Sequence, residues 1–140
     1  MSEKLIEGFF YGLYMDPDLL RGINVNPVDP RPAYLANRQI DFKGLVKVIT
    51  KPDQKVWGML IKLTKSDIEA MYSVEAAKVY SSESVLAILD DGHSIQATCY
   101  NLPINEQAEL NRDYINKLLP ILKKLSLPAP YIQEVEGLLE

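Results

Sequence analysis

The chain has 140 residues, of which 47% are hydrophobic and 24% charged, and a net charge of −4 at pH 7. These values describe a single globular domain, residues 1–140, long enough to bury a real hydrophobic core. The acidic balance argues against nucleic acid as a partner, because phosphate contact needs a basic footprint. No apolar run reaches the roughly 18 residues of a membrane span, and "MSEKLIEG" lacks the apolar core of a signal peptide. A cytoplasmic location without membrane association is the expectation. One cysteine, Cys99, and one histidine, His93, cannot form an internal disulfide or a histidine-based metal site, so neither metal nor cofactor is expected.

In chain order, "LIEGFFYG" reads as a first strand. Asp16 can cap a short helix with Pro17 at its first position and Gly22 at its end. "INVNPVDPRP" holds three prolines in ten residues and predicts a loop. "AYLANRQIDF" and "LVKVIT" have strand character. "KPDQ" suits a turn and "KVWGMLIKL" a return strand, which predicts a hairpin over Leu45 to Leu63. Gly58 inside that strand implies a bulge or a close approach of backbone or ligand.

Thr64 and Asp67 form a capping-box-like start to a helix over "KSDIEAMYS". Ile68, Met71 and Tyr72 share its inner face and Glu69 points outward. "VYSSESVLAIL" and "HSIQATCYNLP" predict a second hairpin around "DDG". "NEQAELNRDYINKLLPILKKL" is mostly helical, with Pro120 expected to kink or split it. A last helix begins near Pro130. Strands that cluster in hairpins predict an α+β fold: a small mixed, largely antiparallel β-barrel with flanking helices.

Few residues offer chemistry. His93 sits beside a turn and reads as exposed. Cys99 lies on an alternating strand and reads as core. There is no glycine-rich phosphate loop, and Asp16, Asp18 and Asp29 lack calcium-loop spacing. Carboxylates remain. Glu75 falls in the apolar context "MYSVEAAKVY" just past a helix, and Glu83 is in phase with Val85 and Ala87 on a strand. An apolar setting disfavours the charged carboxylate and raises its pKa toward the range useful for proton transfer. From pattern alone each glutamate reads first as an ion-paired or surface residue, since most acidic side chains are solvated.

"FFYGLYMDPDLL" resembles the "YG(S/T)LxxDPxxL" opening of γ-glutamylcyclotransferase-like proteins. "KVWGMLIKLTKSDIEAMYSVEAAKVY" is similar to the core of that family, and "ATCYNLP" and "YINKLLPILKKLSLPAPYIQEV" are similar to its last strand and tail. The resemblance implies a small mixed β-barrel and an intramolecular aminolysis. The free α-amine of a γ-glutamyl amide or dipeptide attacks its own γ-carbonyl, giving 5-oxoproline and a released amine or amino acid. Because the nucleophile belongs to the substrate, the protein has only to fold it and manage one proton. By motif position the resemblance makes Glu75 the catalytic glutamate, with Glu83 as fallback. It makes Tyr11, Gly12, Leu13 and Tyr14 the loop that holds the glutamyl end, largely through backbone N–H groups, with Tyr100 lining the pocket. Leu13 stands where the family carries Ser or Thr, Tyr14 where it carries Leu or Asn, Tyr72 for Asp and Ala76 for Gly. The partner implied is a small-molecule γ-glutamyl substrate; a homodimer stays open. The alternative is a non-catalytic member that binds a small molecule or a protein.

Overall fold

The computed structural model describes residues 4–72, 80–101 and 109–139. Five strands form a closed barrel in the order β1-β3-β2-β4-β5. They are β1 (Leu5–Phe10), β2 (Val28–Asp41), β3 (Lys47–Thr64), β4 (Ser81–Leu89) and β5 (Ser94–Asn101). Helices α1 (Pro17–Gly22), α2 (Lys65–Met71), α3 (Arg112–Lys124) and α4 (Ala129–Gly137) flank it, and a short 3-10 turn, Leu13–Met15, precedes α1. All neighbours run antiparallel except β1 and β5, which meet in parallel at Gly8 and Thr98 and close the barrel. No described helix is long and apolar enough to cross a membrane.

Local signals set several ends as expected. The Asp16 carboxylate accepts from Asp18 N–H at the start of α1, and the Thr64 hydroxyl from Asp67 N–H at the start of α2. "DDG" turns β4 into β5, with Gly92 at φ 91°, a conformation that suits glycine. Pro120 does not split α3. It is exposed, and so is Asn116, whose carbonyl loses its helical partner there; water can take that bond.

Two expectations fail in the first half of the barrel. "INVNPVDPRP" is not all loop: β2 begins at Val28 and carries Pro30 and Pro32. β4 pairs with β2 only at Ala33 and Tyr34, so along that edge the prolines interrupt no ladder among the described residues. Nor is Leu45 to Leu63 a hairpin. β3 runs unbroken through Lys51-Pro52-Asp53-Gln54 and pairs with β2 on both sides of that stretch. The register jumps from Ala36↔Lys55 to Arg38↔Thr50, so Pro52 and Asp53 (φ 67° at Asp53) sit in a bulge that the Asn37 side chain ties down through Asp53 N–H at 3.1 Å. Turn residues mark a departure from regular backbone, and here a bulge absorbs it.

The core is continuous. Met59, Leu60 and Ile61 are successive and all buried, as a strand covered on both faces requires. α3 contributes Ile115, Leu118, Leu119 and Leu122 at helical spacing. Gly58 answers its expectation through backbone: a methyl group there would lie 2.2 Å from the Phe10 carbonyl oxygen on β1. At the end of β5, the Asn101 side chain replaces a ladder pairing, accepting from Val48 N–H at 2.8 Å and donating to Val48 C=O at 2.7 Å.

Candidate functional site

The corner after β1 is built by its own residues and then clamped from afar. Tyr11 is buried, and its hydroxyl donates to the Tyr100 carbonyl on β5 at 2.9 Å. Gly12 opens the 3-10 turn, whose Met15 N–H returns to Gly12 C=O at 3.0 Å. Asp16 then caps α1 with a carboxylate that is largely buried and paired with Lys124 of α3 at 3.0 Å. The first turn of α3 reaches the same corner, where the Tyr114 hydroxyl accepts from Leu13 N–H at 3.0 Å. That oxygen lies 2.1 Å from where a Gly12 Cβ would stand. Gly12 is therefore required less for its dihedrals (φ −117°, ψ −149°) than for the space that Tyr114 occupies.

The corner opens onto a cavity of about 380 Å³. Tyr11, Gly12, Leu13, Tyr14 and Tyr100 all line it, so the structure brings these five predicted residues together. Tyr72, Tyr80 and Tyr114 also line it, which puts six of the chain's eight tyrosines in one wall. Tyr72 and Tyr100 stack with centroids 3.9 Å apart and planes 9° apart, and Tyr14 meets Tyr72 edge-on at 5.5 Å. The Tyr14 hydroxyl donates to Met71 C=O at 2.8 Å and that of Tyr80 to Val46 C=O. Burial pushes the phenols of Tyr11, Tyr72, Tyr80 and Tyr114 up, so all four are neutral across the physiological range. Asn111 caps α3, donates to Gly44 C=O at 3.0 Å, and so fixes the Leu45–Val46 rim.

Glu83 is not in this wall. It faces the Arg38 guanidinium of β2 at 3.1 Å. The strand phase that pointed it inward holds, but the inward direction at that height leads to an ion pair. Glu75 lies outside the described residues. Among the described residues no carboxylate lines the cavity, and no group of three or more His, Cys, Asp or Glu is arranged for a metal. His93 is exposed and paired with Asp91 at 2.8 Å. Cys99 is fully buried. Burial first, then the nearby Glu83 charge, pushes its thiol up to about 12, which removes it as a nucleophile near neutrality.

Sequence reasoning missed Tyr80, Asn111 and Tyr114 as site residues, and gave Tyr72 a helix face and a motif position but no place in the site. The available signal was tyrosine itself: an amphipathic ring repeated beside apolar segments, with one copy on the inner phase of α3 next to Ile115.

Residues 8–117 match the family described as γ-glutamyl cyclotransferase, AIG2-like. The chain belongs to that family. Solved structures share the fold. An uncharacterized protein from Homo sapiens superposes with a TM-score of 0.81 at 21% identity, over 96% of this chain and 88% of the human one. A γ-glutamyl cyclotransferase superposes with a TM-score of 0.82 at 18% identity, over 95% of this chain and 87% of its own. YkqA from Bacillus subtilis gives a TM-score of 0.77 at 16% identity, over 97% of this chain and 54% of YkqA. No curated protein matches the chain. In the AIG2-like family frame, the matched residues contain the whole corner, the segment that carries Glu75, and Tyr114.

Proposed function

We propose that this AIG2-like protein is a γ-glutamylcyclotransferase-type enzyme that converts a γ-glutamyl amide or dipeptide to 5-oxoproline and a free amine or amino acid. The observation that carries this reading is the convergence of the Tyr11–Tyr14 corner and Tyr100 on one cavity of about 380 Å³ in a chain that matches the family over residues 8–117. The cavity has the size of a small-ligand site. Its walls of neutral phenols and apolar side chains suit a reaction that mainly needs the substrate folded on itself and shielded from water. Glu75 is the proposed general acid/base. Tyr72 and Tyr80, the nearest described residues on either side of it in sequence, both line the cavity.

A second reading, a non-catalytic binding module, has its own support. The Leu13 N–H is already bonded to Tyr114, and no described carboxylate reaches the cavity. Incubation with γ-glutamyl dipeptides, γ-glutamyl amines and glutathione, monitoring 5-oxoproline, separates the two. The enzyme reading expects release from at least one substrate, and a loss of at least 100-fold in Glu75→Gln, within the range general acid–base catalysis supplies, about 10²–10⁴-fold. Release that is unchanged in Glu75→Gln ends the proposed role of Glu75. No release across the panel leaves the binding module.

A further inference from the structure

The hydroxyls around the cavity have different destinations for their protons. Those of Tyr11, Tyr14 and Tyr80 are donated to the main-chain carbonyls of Tyr100, Met71 and Val46. Tyr114 is the reverse case. Its oxygen accepts from Leu13 N–H, and its own proton has no acceptor among the described residues, while the residue lines the cavity. Burial raises the Tyr114 phenol above its ordinary pKa, with the Leu13 N–H only partly opposing, so the proton stays on. A hydroxyl that accepts one hydrogen bond donates the next more strongly.

We propose that Tyr114 is a ligand-contacting donor, so that the corner presents a phenolic O–H, rather than the bare Leu13 amide, to an acyl oxygen in the cavity. The identity of that acyl group as γ-glutamyl rests on the reading above. The absent side chain at Gly12 is what lets the hydroxyl sit there, since a Cβ would lie 2.1 Å away. In the aminolysis, a C–N bond forms between the α-amine and the γ-carbonyl carbon, and the C–N bond to the leaving amine breaks. The substrate ammonium first gives up one proton to become the attacking amine; a second passes from the attacking nitrogen to the leaving nitrogen as its C–N bond breaks, and the first ends on the released amine or in solvent. Negative charge gathers transiently on the carbonyl oxygen, where a fixed neutral donor stabilises it. Tyr114 keeps its proton throughout.

The test compares the full chain with Tyr114→Phe in two arms. The first measures 5-oxoproline release from γ-glutamylalanine. The second measures binding of 5-oxoproline itself by NMR titration at the Leu13 amide. The expected result is a fall in kcat/KM of about 100-fold, carried by kcat, and a fall in 5-oxoproline affinity of about 3- to 10-fold. Unchanged turnover with γ-glutamylalanine overturns the Tyr114 role and leaves the γ-glutamyl reading standing. Equal or tighter binding by Tyr114→Phe overturns it too, because a ligand that displaces Tyr114 from Leu13 gains from losing the hydroxyl. If the wild-type chain releases no 5-oxoproline, the γ-glutamyl reading fails and the binding arm alone decides Tyr114. Weaker binding by the variant then supports it, and no binding by the wild type overturns it. Should Tyr114→Phe fail to fold, wild-type protein labelled at tyrosine Cζ replaces it. A Tyr114 resonance that moves with added 5-oxoproline supports the proposal, and one that does not move overturns it.

Discussion

Gly12→Ala puts a methyl group where the Tyr114 hydroxyl now sits. The new Cβ would lie 2.1 Å from that oxygen and 3.3 Å from the ring carbon that bears it. Ordinary contact begins near 3.4 Å, so the phenol must retreat by about 1.3 Å and the 3.0 Å bond to Leu13 N–H breaks. The lost bond costs about 1 kcal/mol, and forcing the ring into packed surroundings adds about 1–3 kcal/mol. Alanine adopts the Gly12 dihedrals and restricts the unfolded chain, which returns about 0.4–1 kcal/mol. The net loss is about 2 kcal/mol. In a Tyr114→Phe background the oxygen is gone and the nearest ring carbon needs to give only a few tenths of an ångström, so the same change costs almost nothing. Urea unfolding of the four proteins closes a double-mutant cycle, with an expected coupling of about 2 kcal/mol, the difference between the two Gly12→Ala costs. A Gly12→Ala cost that is equal in both backgrounds, within about 0.5 kcal/mol, refutes the claim that Gly12 exists to admit the Tyr114 hydroxyl.

Gly58→Ala meets main chain rather than a side-chain tip, at 2.2 Å from the Phe10 carbonyl oxygen. It lowers stability by about 3 kcal/mol, or about 10 °C in Tm by calorimetry; a Tm within a few degrees of wild type contradicts the packing of β1 on β3. Asn101→Ala strips both Val48 backbone groups of partners at 2.8 and 2.7 Å and costs about 1–3 kcal/mol in urea unfolding; no change means that water replaces the amide. Alkaline pH destabilises the fold from about pH 9 upward. Cys99, whose ordinary value is 9.0, is pushed up to about 12, and Tyr11 and Tyr131 are raised above 10.0 by burial. The unfolded chain releases these protons first, so the native state binds more of them and stability falls as pH rises. Above pH 10, Tyr11 and Tyr131 alone take away about 3 kcal/mol per pH unit; a flat urea midpoint from pH 9 to 11 contradicts their burial.

The sequence reached the corner and its neighbours because the interactions that shape them are local. Asp16 bonds Asp18, Thr64 bonds Asp67, and "DDG" closes β4 onto β5, each within a few residues, where residue type and spacing decide the outcome. The strand phase of Glu83 was readable for the same reason, but its partner Arg38 is 45 positions away, and phase alone does not say what waits on the inner face. Proline and Asp53 announced irregular backbone without saying whether a turn or a bulge would absorb it. That choice belonged to β2, whose pairing on both sides of Lys51–Gln54 keeps β3 a single strand.

By itself, then, the order of residues determined the β4–β5 turn, the capped helix starts, the barrel class and the corner with its glycine. Only the closed barrel decided what the corner faces. Tyr11 finds Tyr100 across 89 positions and Leu13 finds Tyr114 across 101. Contacts of that span depend on how the whole sheet curls and where α3 comes to rest on it, and no short-range pattern encodes them. "YGLY" looked like a run of open backbone donors. In the fold its central amide is already bonded to a phenol, and Gly12 is the residue that makes room for it.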